Sequence, residues 1–222
     1  MVIKAVIFDL DDTLYSFKNA NEKAFFALAQ FVSEHFGWSF EQFQALHDET
    51  MKMLFETFGD VAAAHNRLIR YQNMLSQNGK SVKYALEMSN VYWSVLIENA
   101  VAFDGLLDTL RALKERGLFL AVGTNMTAFV QFLKLEKIGV LPFLDYVVSS
   151  EEAGADKPAK QFFDYCVEKA RCSAEECLFV GDSVKHDVEG ALNAGLQALR
   201  FFPEGKNQCG TIANWQNLLY HI

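Results

Sequence analysis

Four places in the chain carry residue types whose combination can do chemistry. They are two acidic runs, a hydroxyl beside an amide, and a lysine that precedes a proline. Carboxylates can act as nucleophiles, carry protons or hold hard divalent cations, whereas hydroxyl and ammonium groups can hold an anion. In chain order the candidate groups are Asp9, Asp11, Thr124, Asn125, Lys157, Asp182 and Asp187.

The segments around these residues alternate between two kinds of pattern. Short apolar runs rich in β-branched residues occupy residues 2–8, 118–122, 146–148, 178–180 and 198–202. Between them, helical periodicity appears near residues 104–116, 126–138, 159–170, 185–194 and 210–220. Buried strands that alternate with helices predict a doubly wound α/β fold, a parallel sheet covered on both faces.

A long proline-free stretch separates the first predicted strand from the first helix of the sheet. Glycines divide it at intervals near twenty residues, and apolar residues recur three or four positions apart, as in Ala64, Leu68, Tyr71 and Leu75. This pattern predicts an inserted four-helix cap over residues 17–99. Residues 1–16 and 100–222 are then the α/β catalytic core.

The strand ends predict where the candidate groups meet. In open parallel sheets, ligands bind beyond the carboxyl ends of the strands. Asp9 follows the first predicted strand, Thr124 and Asn125 the second, and Asp182 the fourth, while Lys157 stands a few residues after the third. We therefore expect carboxylates, a hydroxyl and an ammonium to converge in one crevice.

Composition excludes several classes of protein. The net charge of −8 and the pI of about 5.1 argue against a wide nucleic-acid footprint, and no apolar run approaches the length of a membrane span. The motifs of P-loop and dinucleotide-binding proteins are missing from the sequence. The N-terminus becomes charged too early for a signal peptide, so we expect a soluble, cytoplasmic protein. The cysteines lack C-x-x-C spacing, which favours reduced thiols at Cys166, Cys172, Cys177 and Cys209.

The four motifs together resemble those of the haloacid dehalogenase-like (HAD) hydrolase superfamily, helical-cap phosphatase type. That family carries D-x-D-x-T after strand one, Ser or Thr after strand two, a later lysine, and then G-D-x-x-x-x-D. The sequence has all four in order, at residues 9–13, 124–125, 157 and 181–187. The resemblance covers essentially the whole predicted core.

The resemblance implies a role for each candidate residue. Asp9 is expected to be the nucleophile that forms an aspartyl-phosphate, and Asp11 to protonate the leaving oxygen and later deprotonate water. Thr124, with Asn125 beside it, and Lys157 are expected to bind the phosphoryl group. Thr13 is expected to brace the turn.

The excess negative charge of the candidate residues predicts a bound divalent metal. Four aspartates around an anionic phosphoryl group would face only one lysine, and oxygen ligands suit Mg²⁺. By resemblance its ligands are the Asp9 carboxylate, the Asp11 backbone carbonyl and the Asp182 carboxylate. Asp187 is expected to act through a water or by holding Lys157.

The predicted function is a Mg²⁺-dependent phosphatase for a small phosphomonoester, such as a sugar phosphate or a nucleoside monophosphate. A phosphomutase with the same nucleophile remains open; a dehalogenase or a non-catalytic binding protein is less favoured because every motif residue, including Asp11, is present. The expected partner is a small phosphorylated metabolite, with no nucleic-acid polymer and no membrane, and no feature fixes an oligomeric state. Candidates for specificity are Tyr15, Lys18, Asn19, Arg67 and Arg70.

Overall fold

Two units of chain can be described separately in the computed structural model, which covers residues 2–59, 61–205 and 210–222. The α/β unit comprises Met1–Phe17 and Val101–Ile222, and the helical unit comprises Lys18–Ala100. The division expected from the sequence falls one residue earlier at each boundary. Its assignment of the two parts as catalytic core and cap stays a prediction.

The described residues of the helical unit form four α-helices, as the periodicity predicts. They are α1 (Phe17–Phe36, whose first residue belongs to the α/β unit), α2 (Phe40–Phe58), α3 (Arg67–Gln77) and α4 (Ala85–Glu98). Ser39 begins α2 with a capping box, in which its hydroxyl accepts from the Gln42 amide while the Gln42 side chain accepts from the Ser39 amide. A 3₁₀ turn, Ala62–His65, precedes α3.

The α/β unit contains a six-stranded parallel sheet. Its order is β3-β2-β1-β4-β5-β6, so the strand nearest the N-terminus lies in the middle. The strands are β1 (Ala5–Phe8), β2 (Phe119–Thr124), β3 (Tyr146–Ser149), β4 (Cys177–Gly181), β5 (Gln197–Phe201) and β6 (Thr211–Ile212). The doubly wound α/β fold predicted from the sequence is confirmed.

Both faces of the sheet are covered, which explains the unbroken apolar run of β1. Alternate side chains of a strand point to opposite faces. Ile7 belongs to a buried cluster with Phe162 and Phe163, while the ring of Phe8 meets that of Trp215 at 5.7 Å between centroids. A strand enclosed in this way has no polar position to offer to solvent.

The helices of this unit are α5 (Leu106–Glu115), α6 (Ala128–Lys137), α7 (Ser150–Ala153), α8 (Lys160–Ala170) and α9 (Gly190–Asn193). The helix predicted near residues 185–194 is divided into a π-helical turn, Val184–Glu189, and α9. The α-helix predicted over residues 210–220 is wrong. That segment instead contains β6 and a 3₁₀ helix, Trp215–Tyr220, because Trp215 and Leu218 fill the core at a spacing of three.

Two smaller features complete the description. Cys166, Cys172 and Cys177 are free thiols, with 3.3 Å between the Sγ atoms of the last two, and Cys209 lies outside the described residues. Within the part of the chain that the structure covers, no helix is long and apolar enough to cross a membrane.

Candidate active site

The strand register brings the predicted residues to one edge of the sheet. Phe8 pairs with Val122 on one side and with Val180 on the other, so the carboxyl ends of β1, β2 and β4 lie at the same edge of the sheet, with β2 extending two residues further to Thr124. Asp9 follows β1 directly, and its amide donates to the Val180 carbonyl at 2.8 Å. The nucleophile candidate is therefore fixed by the sheet itself, as the position of the motif predicts.

Lys157 is buried between two carboxylates. Its Nζ lies 2.5 Å from Asp9 Oδ1 and 2.7 Å from Asp187 Oδ1, and the side chain is only 4% exposed. The rings of Phe162 and Phe179 approach the ammonium to 5.9 and 5.3 Å. The lysine thus joins the first and fourth motifs, and Asp187 holds it, which is one of the two arrangements considered for Asp187.

Asn125 supports the Lys157 segment through its side chain. Its Oδ1 accepts from the Lys157 amide at 2.8 Å, and its Nδ2 donates to the Lys157 carbonyl at 3.3 Å. Both polar atoms of the side chain therefore bind backbone. Direct binding of substrate by Asn125 stays a prediction, and the observed contacts are those of a residue that positions Lys157.

Thr124, the last residue of β2, is oriented by a residue that the sequence analysis did not identify. Gln131 of α6 is fully buried, and its Nε2 donates to Thr124 Oγ1 at 2.5 Å and to the Asn125 carbonyl at 3.0 Å. The Thr124 hydroxyl in turn donates to the Asn125 carbonyl at 3.2 Å.

Thr13 braces the turn that follows β1. Its hydroxyl lies 3.1 Å from Asp9 Oδ2 and 3.4 Å from Asp182 Oδ1, and it accepts from the Asp182 amide at 3.0 Å. One buried side chain therefore links the loops after β1 and β4. The same turn places Asp12 at a φ of 59°, a left-handed conformation that asparagine and aspartate tolerate better than most residues.

The fourth motif needs its glycine because of the close approach of Asp187. A Cβ atom added at Gly181 would overlap the Asp187 carboxyl group. Asp187 lies on the π-helical turn, and its Oδ2 accepts from the Ser183 amide at 2.9 Å. The remaining oxygen, Oδ1, is the one that binds Lys157.

Asp11 has a different set of partners. Lys134 of α6 places its Nζ 2.9 and 2.8 Å from the two carboxylate oxygens, and Tyr15 donates its hydroxyl to Oδ1 at 2.5 Å. Tyr15 was considered above as a specificity candidate, and Lys134 was not identified from the sequence. Gln131 and Lys134 lie three residues apart on the helix that follows the second motif, so the sequence shows that they share a face but not that this face meets Asp11 and Thr124.

Three carboxylates form a group that could hold a metal. Ligand oxygens of Asp9, Asp182 and Asp187 lie within 4.8 Å of one another. Both oxygens of Asp9 and both oxygens of Asp187 already accept hydrogen bonds, whereas Asp182 accepts at Oδ1 from Thr13 at 3.4 Å, so the Asp182 carboxylate is the most open of the three. A set of hard oxygen donors with few balancing cations fits a divalent ion.

The pKa values show how strongly these carboxylates are crowded. Burial raises the pKa of Asp9 to about 7 against the attraction of Lys157, and the charges of Asp187 and Asp182 add to the rise. Burial also raises the pKa of Asp182 to about 6, again with a contribution from Asp187. Burial alone would lower the pKa of Lys157, but Asp187 and Asp9 raise it above its ordinary value, so the lysine stays charged.

Two of the specificity candidates, Arg67 and Arg70, donate hydrogen bonds to the 3₁₀ turn that precedes α3. Arg67 donates to the His65 carbonyl at 2.6 Å and to the Tyr92 hydroxyl at 2.8 Å. Arg70 donates to the Ala64 carbonyl at 3.3 Å and lies 3.1 Å from His47 Nε2. Lys18 and Asn19 are exposed.

Comparison with known proteins places this geometry in context. Residues 3–195 match the sequence profile of haloacid dehalogenase-like hydrolases. The ribulose-1,5-bisphosphate 5-phosphatase of Halopiger xanaduensis is 32% identical over 203 residues, 90% of this chain and 84% of that protein. The glyceraldehyde 3-phosphate phosphatase of Methanocaldococcus jannaschii is 30% identical over 210 residues, 90% of this chain and 85% of that protein.

Solved structures are also similar to this chain over its full length. The HAD-hydrolase YfnB of Bacillus subtilis, solved bound to magnesium, aligns with a TM-score of 0.74 and 25% identity. The alignment covers 100% of this chain and 99% of that one.

Proposed function

Since the chain belongs to the haloacid dehalogenase-like hydrolase family and is a phosphatase of that family, we propose that it hydrolyses small phosphomonoesters through an aspartyl-phosphate on Asp9. The observation that carries the proposal is the position of Asp9. Its carboxylate stands at the end of the central strand, with Lys157 on one oxygen and Thr13 on the other.

In the first half-reaction, an Asp9 oxygen attacks phosphorus and the bond to the ester oxygen breaks. Asp11 gives a proton to that departing oxygen, so the product leaves as a neutral alcohol. Lys157 and Thr124 stabilise the charge on the transferring phosphoryl oxygens. Splitting the hydrolysis into two steps helps because uncatalysed phosphomonoester hydrolysis is among the slowest reactions that enzymes accelerate.

In the second half-reaction, water attacks the same phosphorus and the bond to Asp9 breaks, which releases inorganic phosphate. Asp11 takes the proton of the attacking water and is ready for the next cycle. We assign the metal as Mg²⁺, held by the carboxylates of Asp9 and Asp182 and by the Asp11 carbonyl. It supplies positive charge that lets an anionic substrate bind among aspartates.

The proposed substrates are small phosphorylated metabolites, with sugar phosphates ahead of nucleoside monophosphates. The support is that the two relatives above are named for ribulose-1,5-bisphosphate and for glyceraldehyde 3-phosphate. We assign substrate selection to the helical unit, because it is inserted in the chain directly after the loop of Asp9 and Asp11. A cytoplasmic location is supported by the cysteine pattern, which lacks the spacing of a disulfide framework.

The experiment is a screen of phosphorylated metabolites with released phosphate as the readout, performed with Mg²⁺. The wild type should release phosphate from at least one small phosphomonoester, and rapid quenching should trap a phosphoryl group on Asp9. Asp9→Asn is the matched control, because it keeps the shape of the side chain and removes the nucleophile. Turnover by Asp9→Asn at the wild-type rate would reject the mechanism, and a wild type inactive on every phosphomonoester would reject the function.

A further inference from the structure

Helix α6 carries a lysine in a place where lysine is rare. Lys134 is 1% exposed, although this side chain is almost never fully buried unless its charge is paired. Its ammonium binds both oxygens of Asp11, at 2.9 and 2.8 Å, and lies 5.3 Å from the centre of the Phe17 ring. The helix therefore delivers a desolvated positive charge to one particular carboxylate.

The Asp11 carboxylate is fixed from two directions. Tyr15, itself fully buried, donates its hydroxyl to Oδ1 at 2.5 Å. One turn before Lys134 on α6, Gln131 binds Thr124 Oγ1 and the Asn125 carbonyl. One face of α6 thus sets the orientation of two motifs, with Gln131 holding the second motif and Lys134 holding Asp11.

A carboxylate that exchanges protons must meet two different oxygens in one cycle. In the function proposed above, on which this inference rests, Asp11 gives a proton to the departing ester oxygen and takes one from the attacking water. Both transfers require that its oxygens stand within hydrogen-bond reach of the reacting atoms. Neither requires that Lys134 touch the substrate.

We propose that Lys134 is a positioning residue for Asp11, assisted by Tyr15, and that it is needed for turnover and not for substrate binding. The two donors hold the Asp11 carboxylate in one orientation at the side of the site. A substrate whose leaving group departs as a stable anion needs little help from Asp11, so its hydrolysis depends less on Lys134.

The test compares Lys134→Met, Lys134→Arg and Lys137→Met, with the last as the matched control. Lys137 is exposed and lies three residues along the same helix. With the best alkyl phosphate of the screen, Lys134→Met should lower kcat about 10- to 100-fold and change KM less than about threefold. With 4-nitrophenyl phosphate the loss should be smaller. Lys134→Arg should recover most of the alkyl phosphatase activity, and Lys137→Met should match the wild type.

A double-mutant cycle separates positioning from general support of the fold. In the background of Asp11→Asn, Lys134→Met should change the residual hydrolysis of 4-nitrophenyl phosphate by no more than about twofold, because the group that Lys134 positions has lost its function. If Lys134→Met causes the same fold loss with and without Asp11, or raises KM and leaves kcat unchanged, the inference is wrong.

Tyr15→Phe keeps the cycle informative if Lys134→Met does not fold. This substitution removes only the Tyr15 hydroxyl, which donates to Asp11 Oδ1. It should lower kcat on the alkyl phosphate by about threefold or more, and only when Asp11 is present. An unchanged kcat in Tyr15→Phe would contradict its assisting role. Phosphate release by the wild type, lost in Asp9→Asn, establishes the proposed function independently of either outcome. A wild type inactive on all phosphomonoesters would remove the function and this inference together.

Discussion

Arg70 of the helical unit is buried among partners of a different kind from those of the two buried lysines of the α/β unit. In the α/β unit, Lys157 and Lys134 are 5% and 1% exposed, and each binds carboxylate oxygens. In the helical unit, Arg70 is 3% exposed, and its partners are the neutral acceptors His47 and the Ala64 carbonyl. Among the residues that the structure describes, no carboxylate lies within ion-pair distance of Arg70.

The helical unit adapts to this arrangement by keeping one partner neutral. Burial, and then the charge of Arg70, lower the pKa of His47 to about 4, while Asp48 opposes the shift. Burial and Arg67 lower the pKa of Arg70 to about 10, which still leaves it charged at neutral pH. Arg70 therefore uses its hydrogen bonds to fix the turn Ala62–His65 before α3.

This difference predicts whether a substitution will lower the activity or the stability of the protein. The buried lysines of the α/β unit contact Asp9 and Asp11, the carboxylates to which we assign the reaction. Substitutions there should therefore lower the activity more than the free energy of unfolding. The buried charge of Arg70 in the helical unit holds backbone and a neutral imidazole, so changes there should appear in the free energy of unfolding.

Asp9→Asn should abolish turnover, with a loss of about 10⁴-fold or more, because an amide is a poor nucleophile and a weak metal ligand. The variant should keep the circular dichroism spectrum of the wild type. Its remaining phosphate release should be measured on the best metabolite in a preparation free of host phosphatases. Substantial activity in such a preparation would mean that the buried Asp9–Lys157 pair is not needed for catalysis.

Removal of the metal should be nearly as severe. Exhaustive treatment with EDTA should reduce hydrolysis to background, and added Mg²⁺ should restore it, because uncompensated aspartates repel a phosphate. Beryllium fluoride with Mg²⁺ should inhibit by mimicking phosphorylated Asp9. Full activity after chelation, with no metal added, would show that Lys157 alone can balance the site.

Asp187→Asn should lower kcat/KM about 10- to 100-fold, because Lys157 would lose one of its two carboxylates and move relative to Asp9. Asp164→Asn is a matched control, since Asp164 also pairs with a lysine, Lys160, but both side chains are exposed. The control should leave both kcat/KM and the melting temperature unchanged. Equal effects in the two variants would contradict a role tied to the buried pair.

The smallest effect belongs to the helical unit and depends on pH. Because the pKa of His47 is lower in the folded protein than its ordinary value of 6.5, protons bind more tightly to the unfolded chain. The contribution of His47 to stability is therefore complete above about pH 7 and decreases as the pH falls toward 4. At pH 5 the loss should be about 2 kcal/mol.

Urea unfolding of the wild type and of His47→Gln at pH 7.5 and 5 would measure this contribution. The wild type should lose about 2 kcal/mol more than the variant between the two pH values. Equal losses would mean that His47 is charged beside Arg70 in the folded protein.

The sequence predicted the fold where the pattern was strong, and the site where residue type was decisive. Asp9, Thr124 and Asp182 could be placed together because a parallel sheet aligns the ends of its strands. Strand β6 was missed because it has two residues, too few to show any periodicity, and because Trp215 and Leu218 resemble a helical stripe.

Lys134 could not be recognised as part of the site for a different physical reason. A lysine on a helix is usually solvated, and only the position of Asp11 in space turns this one inward. The role of Gln131 could not be predicted either, because its contacts with Thr124 and the Asn125 carbonyl depend on how α6 packs against the end of β2. The functional assignment of the two units, and the roles of the individual aspartates, remain predictions that the variants above address.

The central place of β1 has a consequence for how the chain folds during synthesis. Its two neighbours, β2 and β4, begin at Phe119 and Cys177, so β1 leaves the ribosome long before either of them exists. The helical unit, by contrast, is contiguous from Lys18 to Ala100, so all the residues that form it are synthesised before β2. The Asp9 carboxylate can therefore pair with Lys157 only after a further 148 residues have been synthesised, and the whole helical unit is among them.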